Sequence, residues 1–598
     1  MIYRLADNII SPLGETTDEN YQAVKEGRSA LNKYMGKWGV PDSYTASFFT
    51  QEQEKAHFID GLTRFESLAF LSASRAVKDA GIDVGSSQTV FILSTTKANI
   101  EQLTDDAEGY AAMYPAEAAE RIAKRLGVST PSIVVCNACI SGVSAIILAM
   151  RLLESNVYTQ AVVCGADVLS KFTVSGFLSL KALAEDECRP FDIERLGLNL
   201  GEAAATLVLQ RDKDVARETV SSKDAWHMVQ GAIRNDAFHV SSPSKNGEGA
   251  KLALEAVLHE VPMEHLALVN AHGTATMFND QMESVAMERV GLNSVPVNAL
   301  KGYFGHTLGA AGILETIITM AALDDNTILA TRGFSERGVS GKIMVPTQNT
   351  ETSKTGFIKM ISGFGGCNAA LFVDRTGLDV ADAMQACHSQ FEKVHHVRIS
   401  PSSVMVDGND ICVQETGPQL LVWLYKQYVG DYPKFYKMDG LCQLGMVASE
   451  LLLMQEEGER FVPRDNRAVI LMNHSSSIGA DRKFLASITK EDDFFPSPSA
   501  FLYTLPNIVT GEIAIRNHYH GETSFFIVKE RNDELLWQIV SASANDAKMQ
   551  SVLGGWIDYD DENHFEADIF LAVRKPRICP YDSQNKAPET SRQSSRNK

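Results

Sequence analysis

Residues 131–153 read PSIVVCNACISGVSAIILAMRLL. The IVV run has the character of a buried strand, and SAIILAMRLL that of a buried helix. Between them the small polar cluster NACISG places Cys139 on a strand-to-helix turn. A thiol at a helix N-terminus faces unpaired backbone N–H groups and the positive end of the helix dipole, an environment that favours thiolate. Ser141, Gly142 and Ser144 are small enough to admit a substrate to the sulfur. Most cysteines in such runs are inert buried residues, and Cys136, inside the strand, is read that way.

Working outward, helix and strand patterns alternate. FESLAFLSASRAVKDA (65–80) has helical periodicity, and SQTVFILST (87–95) is a buried strand. AEAAERIAKRLG (116–127) and YTQAVVCGAD (158–167) repeat the pair around the Cys139 unit. A second series runs from GAKLALEAVLHEV (249–261) through LALVNAHG (266–273) and ILETIITMAAL (313–323) to the strands GFIKMISGFGG (356–366) and NAALFVD (368–374). Helices alternating with continuous apolar strands predict a layered α/β fold with helices covering a sheet. With 598 residues the chain exceeds the size of one core, so more than one domain is expected.

The boundaries read as 1–376 for the first domain, 377–396 for a polar linker, 397–575 for a second α/β domain and 576–598 for a disordered tail. The second domain echoes the first: FYKMDGLCQLGMVASELLLMQ (435–455) as a helix, RAVILMNHSSS (467–477) as a strand, then EIAIRNHYHG (512–521) and TSFFIVK (523–529) as strands. A degenerate internal repeat is inferred.

The net charge of −20 excludes nucleic acid as a partner, since phosphate binding needs concentrated positive charge, and gives no pull towards an anionic membrane. Nine scattered cysteines suit a reducing cytosol rather than a disulfide framework, so a cytoplasmic location is expected. MIYRLADNIISPLGE lacks the pattern of a signal peptide, and no apolar run is long enough to span a bilayer. No zinc-type spacing of Cys and His occurs, and no metal is expected.

Two further loops join Cys139. LALVNAHGTATMFND (266–280) sets His272 just after an apolar strand, and VNALKGYFGHTLGAAGILETI (297–317) sets Lys301 and His306 around the start of a helix. Both histidines lie among Gly, Ala and Thr, where a ligand finds room.

NACISG, CRPFDIERLGLNLGEAA (188–204), DAFHVSSPSKNGEGA (236–250), AHGTATMFND, KGYFGHTLGAAG and GFGGCNAA (363–370) together resemble the β-ketoacyl-acyl carrier protein synthases of the elongating, Cys-His-His type. The resemblance covers about the first 375 residues and implies the thiolase fold, a layered αβαβα ketosynthase. By position, Cys139 would take an acyl chain from a carrier-protein thioester, while His272 and His306 would assist malonyl decarboxylation and stabilise the enolate. Lys301, with Glu315, would tune that pair. The N–H groups of Cys139 and Phe364 would form the oxyanion hole, and Phe364 would also gate the acyl pocket. Thr274 and Thr276 would hold the phosphopantetheine arm. No cofactor is implied beyond the phosphopantetheine of the acyl carrier protein, which is the expected partner. Ala203, Ala205 and Ala275 stand where the family more usually has glycine.

The second domain is similar to a ketosynthase more faintly. PSPSAFLYTLPNIVTGEIAIRNHYHGETSFF (496–526) would put Arg516–His520 at the nucleophile turn, without cysteine. A truncated, silent chain-length-factor-like partner follows, pairing within the chain or as part of a homodimer. His518 and His520 are taken as structural. The expected reaction is decarboxylative Claisen condensation in fatty-acid, polyketide or aryl polyene-type synthesis. A thiolase-like CoA-dependent acyltransferase and a non-catalytic chain-length factor are the alternatives. Thiolases commonly carry a second catalytic cysteine near the chain end, whereas Cys367 follows the GFGG turn at the synthases' usual non-catalytic position.

Overall fold

The computed structural model describes residues 1–103, 113–211, 225–376, 378, 391–489 and 494–575. Most of the expected linker and all of the expected tail lie outside them.

Two large sheets form the centre of the first 376 residues, with two small sheets of two and three strands beside them. One runs Ile2–Ile10, Ala203–Arg211, Gln160–Asp167, Thr89–Ser94, Ile133–Val135, its first two pairings antiparallel and the rest parallel. The other runs His227–Asn235, Cys367–Asp374, Gly356–Gly363, Leu266–Asn270, Val297–Asn298, again antiparallel and then parallel. Between them lie the helices Ser141–Glu154 and Ala311–Asp324, which touch each other. Every residue of the first from Ser141 to Leu153 is buried, as is almost all of the second. That is why both read as apolar on all sides rather than amphipathic. Helix Arg64–Ala80 covers the outer face of the first sheet and Glu248–Leu258 that of the second. The result is the αβαβα layering of the thiolase fold.

The starts of the two central helices meet through glycine. A Cβ on Gly312 would lie 2.6 Å from the backbone nitrogen of Val143, and one on Gly142 3.0 Å from the carbonyl of Gly309. The loops carrying Cys139 and His306 are thereby held side by side.

The C-terminal region is a single sheet. Its order is Thr523–Ile527, Arg467–Asn473, Ser551–Asp561, His564–Arg574, Phe391–Ser400, Ser403–Val406 and Asn409–Ile411. Helix Gly440–Leu453 followed by strand Arg467–Asn473 repeats the order of Arg64–Ala80 and Thr89–Ser94. Thr523–Ile527 pairs antiparallel with Ile133–Val135, Phe526 opposite Val135, so one sheet runs through both halves.

Three expectations need correction. Residues 391–396 belong to strand Phe391–Ser400, so the C-terminal region begins before 397. EIAIRNHYHG is not a strand: Ile508–Asn517 is a helix, ended by His518 in the left-handed conformation. The alternation of its apolar residues is short enough to fit either period, and its largely buried faces suppress the helical signature. The strand-turn-helix matching the Cys139 unit therefore lies later, as Thr523–Ile527, the turn 528–532 and helix Asp533–Ala542. It too lacks cysteine, reading VKERN. Among the described residues, no helix is long and apolar enough to cross a membrane.

Candidate active site

Ala138 adopts a left-handed φ of 48°, a strained turn for a residue with a Cβ, and this delivers Cys139 to the start of the central helix. His272 follows strand Leu266–Asn270, and His306 precedes helix Ala311–Asp324. The three converge. One side-chain atom from each of Cys139, His272 and His306 lies within 4.8 Å of the other two, and the imidazole rings stand nearly perpendicular, 5.1 Å apart. All three residues are buried.

Their surroundings fix protonation. Burial, then Lys301, pull His272 and His306 well below the usual histidine range, so both imidazoles are neutral at pH 7. The Nδ1 of His306 accepts from the backbone N–H of Leu308 at 3.2 Å, which leaves the proton on Nε2, buried and without a partner. A neutral N–H donor thus stands ready in a buried site. Burial also pushes the Cys139 thiol up to about 12, with Lys301 and its own backbone N–H pulling the other way. Burial of the sulfur thus outweighs the pull of the helix terminus, and the thiol form is favoured.

Behind the imidazoles, Glu315 bridges two lysines: Lys301 Nζ at 2.7 Å from Oε1 and Lys359 Nζ at 2.5 Å from Oε2. Burial opposes ionisation of Glu315, but the two ammoniums win and hold its carboxyl below the ordinary range. Lys301 also donates to the His272 carbonyl at 2.6 Å, and Lys359 to Asn270 Oδ1 at 2.8 Å. Two buried ammoniums make the neighbouring Cys-His-His cluster hostile to a metal cation, although its geometry resembles a ligand set.

Sequence reasoning missed several supports. Lys359 was hidden in an apolar strand, where its charge was the available signal. Glu283 accepts from the N–H groups of His272 and Gly273, both at 2.8 Å, and Asp280 from that of Thr274 at 3.0 Å. Asp167 accepts from Thr95 Oγ1 at 2.8 Å and from the Gly309 N–H at 2.7 Å, fixing the loop after His306.

A cavity of about 380 Å³ opens onto Cys139, His272 and His306, lined also by Thr274, Thr276 and Phe364. The two threonine hydroxyls lie 2.8 Å apart. Ala275 between them has a φ of 59°, so the alanine occupies a conformation better suited to the glycine usual there. Beyond Phe364 a second, mainly apolar void of about 20 Å³ touches Cys139, Phe177, Phe501 and Leu505. Phe364 borders both spaces, and a Cβ on the preceding Gly363 would lie 3.2 Å from the Cys139 nitrogen. Cys367 is buried beside the Phe364 carbonyl, 3.3 Å away, and lines neither space. In the C-terminal region His520 Nδ1 lies 3.1 Å from the Asn235 carbonyl, and Tyr519 packs beneath Arg467.

The family models for the N-terminal and C-terminal domains of β-ketoacyl synthases match residues 6–215 and 227–335, together more than half of the chain. The chain belongs to the β-ketoacyl synthase family. It is a condensing acyltransferase of fatty-acid or polyketide synthesis. A 3-oxoacyl-[acyl-carrier-protein] synthase 2 of Vibrio cholerae is 27% identical over 408 residues, spanning 61% of this chain and 97% of the relative. The ketoacyl synthase alpha subunit of the tetracenomycin polyketide synthase of Streptomyces glaucescens is 29% identical, spanning 52% of this chain and 81% of its own. The fold of a solved protein described as PfaC keto synthase-chain length factor superposes with a TM-score of 0.74, covering 98% of this chain and 79% of that one at 16% identity. That likeness runs through both halves of the fold.

Proposed function

We propose that this synthase is of the elongating type, that Cys139 carries its acyl chain, and that the C-terminal region is a catalytically silent partner which closes the acyl pocket. The convergence of Cys139, His272 and His306 on one cavity carries the reading.

The steps follow from the protonation states. As the Cys139 sulfur adds to the carbonyl of an acyl-carrier-protein thioester, its proton passes to a neighbouring imidazole and leaves with the departing pantetheine thiol. A malonyl thioester then enters past Thr274 and Thr276. Loss of carbon dioxide leaves an enolate whose oxygen takes a hydrogen bond from His306 Nε2, with His272 beside it. The enolate carbon attacks the acyl-cysteine carbonyl, whose oxygen sits against the N–H groups of Cys139 and Phe364. The C–S bond breaks and the sulfur leaves as thiolate, which takes a proton from solvent through an imidazole, while a β-ketoacyl chain two carbons longer remains on the carrier. Burial, Lys301 and Lys359 disfavour the imidazolium, so the imidazole that takes the proton gives it up and is neutral again before the malonyl step.

Phe501 and Leu505, from the C-terminal region, face the void beyond Phe364 and would set its depth. A fused partner of this kind favours polyketide or aryl polyene-type products over housekeeping fatty acids. The acyl carrier protein would dock at the mouth of the larger cavity.

Intact-protein mass spectrometry after incubation with acyl- and arylacyl-carrier proteins tests the reading. The wild type should gain one acyl group, Cys139→Ala none, and His306→Ala the acyl group without turnover to product. Undiminished acylation of Cys139→Ala would refute it.

A further inference from the structure

The turn Gly363–Gly366 bears Phe364, and its last two glycines have φ of 91° and 73°. Its backbone is held at several points. The Gly365 N–H donates to Val240 O at 2.7 Å, Gly365 O accepts from Asn235 Nδ2 at 2.9 Å, and Gly366 O accepts from the Asp236 N–H at 2.8 Å. Those partners come from the first half of the chain. The Phe364 carbonyl is held from the other half: Asn507 Nδ2 donates to it at 2.9 Å. A carbonyl can only accept, so the amide orientation is settled by this contact.

Asn507 is 2% exposed and immediately precedes helix Ile508–Asn517, whose first turn rests on the same loop. A Cβ on Gly511 would lie 2.6 Å from the Gly365 carbonyl oxygen, so glycine is what permits this approach. Asn507 Oδ1 has no partner, and Nδ2 makes its short bond to the Phe364 carbonyl, with a longer contact of 3.8 Å to Cys367 Sγ. The Phe364 ring in turn packs on Phe177, 6.2 Å away, which packs on Phe501 at 5.5 Å. Asn507 therefore grips the backbone of the gate, while Phe501 backs the ring through Phe177.

We propose that Asn507 is a positioning residue: by fixing the Phe364 carbonyl it aims the Phe364 N–H at the acyl-cysteine oxygen, so the C-terminal region governs the condensation step through the gate loop without touching substrate. This rests on Phe364 serving as oxyanion donor and gate, as set out above. The carbonyl and N–H of one residue are linked by its own φ and ψ, and misplacement by a fraction of an ångström is costly in a preorganised site.

The test uses the full chain with Asn507→Leu, which matches the shape but cannot donate, and Asn507→Asp, which donates only when protonated. Asn507→Leu should lower kcat for condensation about tenfold, with the KM for malonyl carrier protein and the extent of Cys139 acylation within about twofold of wild type. In Asn507→Asp the buried carboxyl should be protonated near about pH 6 and support turnover there, then lose it as pH rises, a profile absent from the wild type. A merely structural role would not produce that pH-dependent rescue. Turnover of Asn507→Leu within twofold of wild type, or an Asn507→Asp profile parallel to wild type, would overturn the proposal. A wild type that never acylates Cys139 would instead bring down the underlying reading, and the proposal with it.

Discussion

Lys301 and Lys359 lie buried behind two imidazoles that must stay neutral to donate hydrogen bonds, and Glu315 makes this arrangement tolerable. Without it the two ammoniums would repel in a low-dielectric interior; with it they still depress both histidines. A histidine whose folded value lies below its unfolded one takes up a proton in the unfolded chain first. Stability is therefore lost as pH falls below about 6.5, and above that value the pair contributes no pH dependence. Turnover should behave differently, because the folded imidazoles remain neutral through that range. We expect kcat for condensation, measured between about pH 5.5 and 7.5, to show no half-maximal point near the ordinary histidine value. An acid limb centred at about 6.5 would mean that the imidazoles titrate freely and the lysines do not act on them. At this scale Cys139, His272 and His306 were legible because each stood among small residues at the end of an apolar run. Lys359 was not, since a charge inside a strand acquires meaning only when its partner Glu315 is brought across from a different element. The protonation of Cys139 was also illegible: a helix start is visible in a sequence, but burial of the sulfur is not.

Elements place these groups by meeting end to end. Two helix starts touch through Gly142 and Gly312, and a third helix, Ile508–Asn517, arrives at the gate loop through Gly511. The alternation of helix and strand could be read directly through the first 376 residues, because long apolar runs leave one choice of period. Ile508–Asn517 was misread because ten residues with polar groups such as Glu512 turned inward resemble alternation, and that buried carboxylate is met by Lys434 at 2.7 Å. The helix Lys171–Ser179 and the helix Pro498–Tyr503 meet beside the apolar void, where a Cβ on Gly176 would lie 2.1 Å from the Phe501 ring. Phe501→Ala should therefore deepen the pocket and shift products to longer chains. Gly176→Ala should drive the ring towards the void and shorten them, with Cys139 still acylated by short-chain donors. Mass spectrometry of carrier-bound products reads both. Equal product lengths in the two variants would show that this floor does not limit the chain.

Across the whole molecule the two halves share one sheet and several buried polar contacts, which is more than a linker would require. Arg151 pairs with Glu522 at 2.7 Å, Lys97 with Asp481 at 2.5 Å, and Arg234 with Asp546 at 2.7 Å. The Phe525 N–H donates to Asn137 Oδ1 at 2.7 Å, two residues from the nucleophile. The echo of helix and strand is visible in the sequence, but pairing of Thr523–Ile527 with Ile133–Val135 depends on contacts across almost four hundred residues that no local pattern carries. Separating the halves would leave Ile133–Val135 as an open apolar edge and strand the charges of Lys97, Arg151 and Arg234 without their carboxylates. Unpaired strand edges invite association, and an uncompensated buried charge costs about 3–5 kcal/mol. Residues 1–376 expressed alone should accordingly aggregate or self-associate through that edge, and should lose condensation even where a soluble fraction remains. Size-exclusion chromatography of the fragment, together with a condensation assay, checks this. A monomeric fragment that turns over like the full chain would show that the C-terminal half neither completes the fold nor shapes the site.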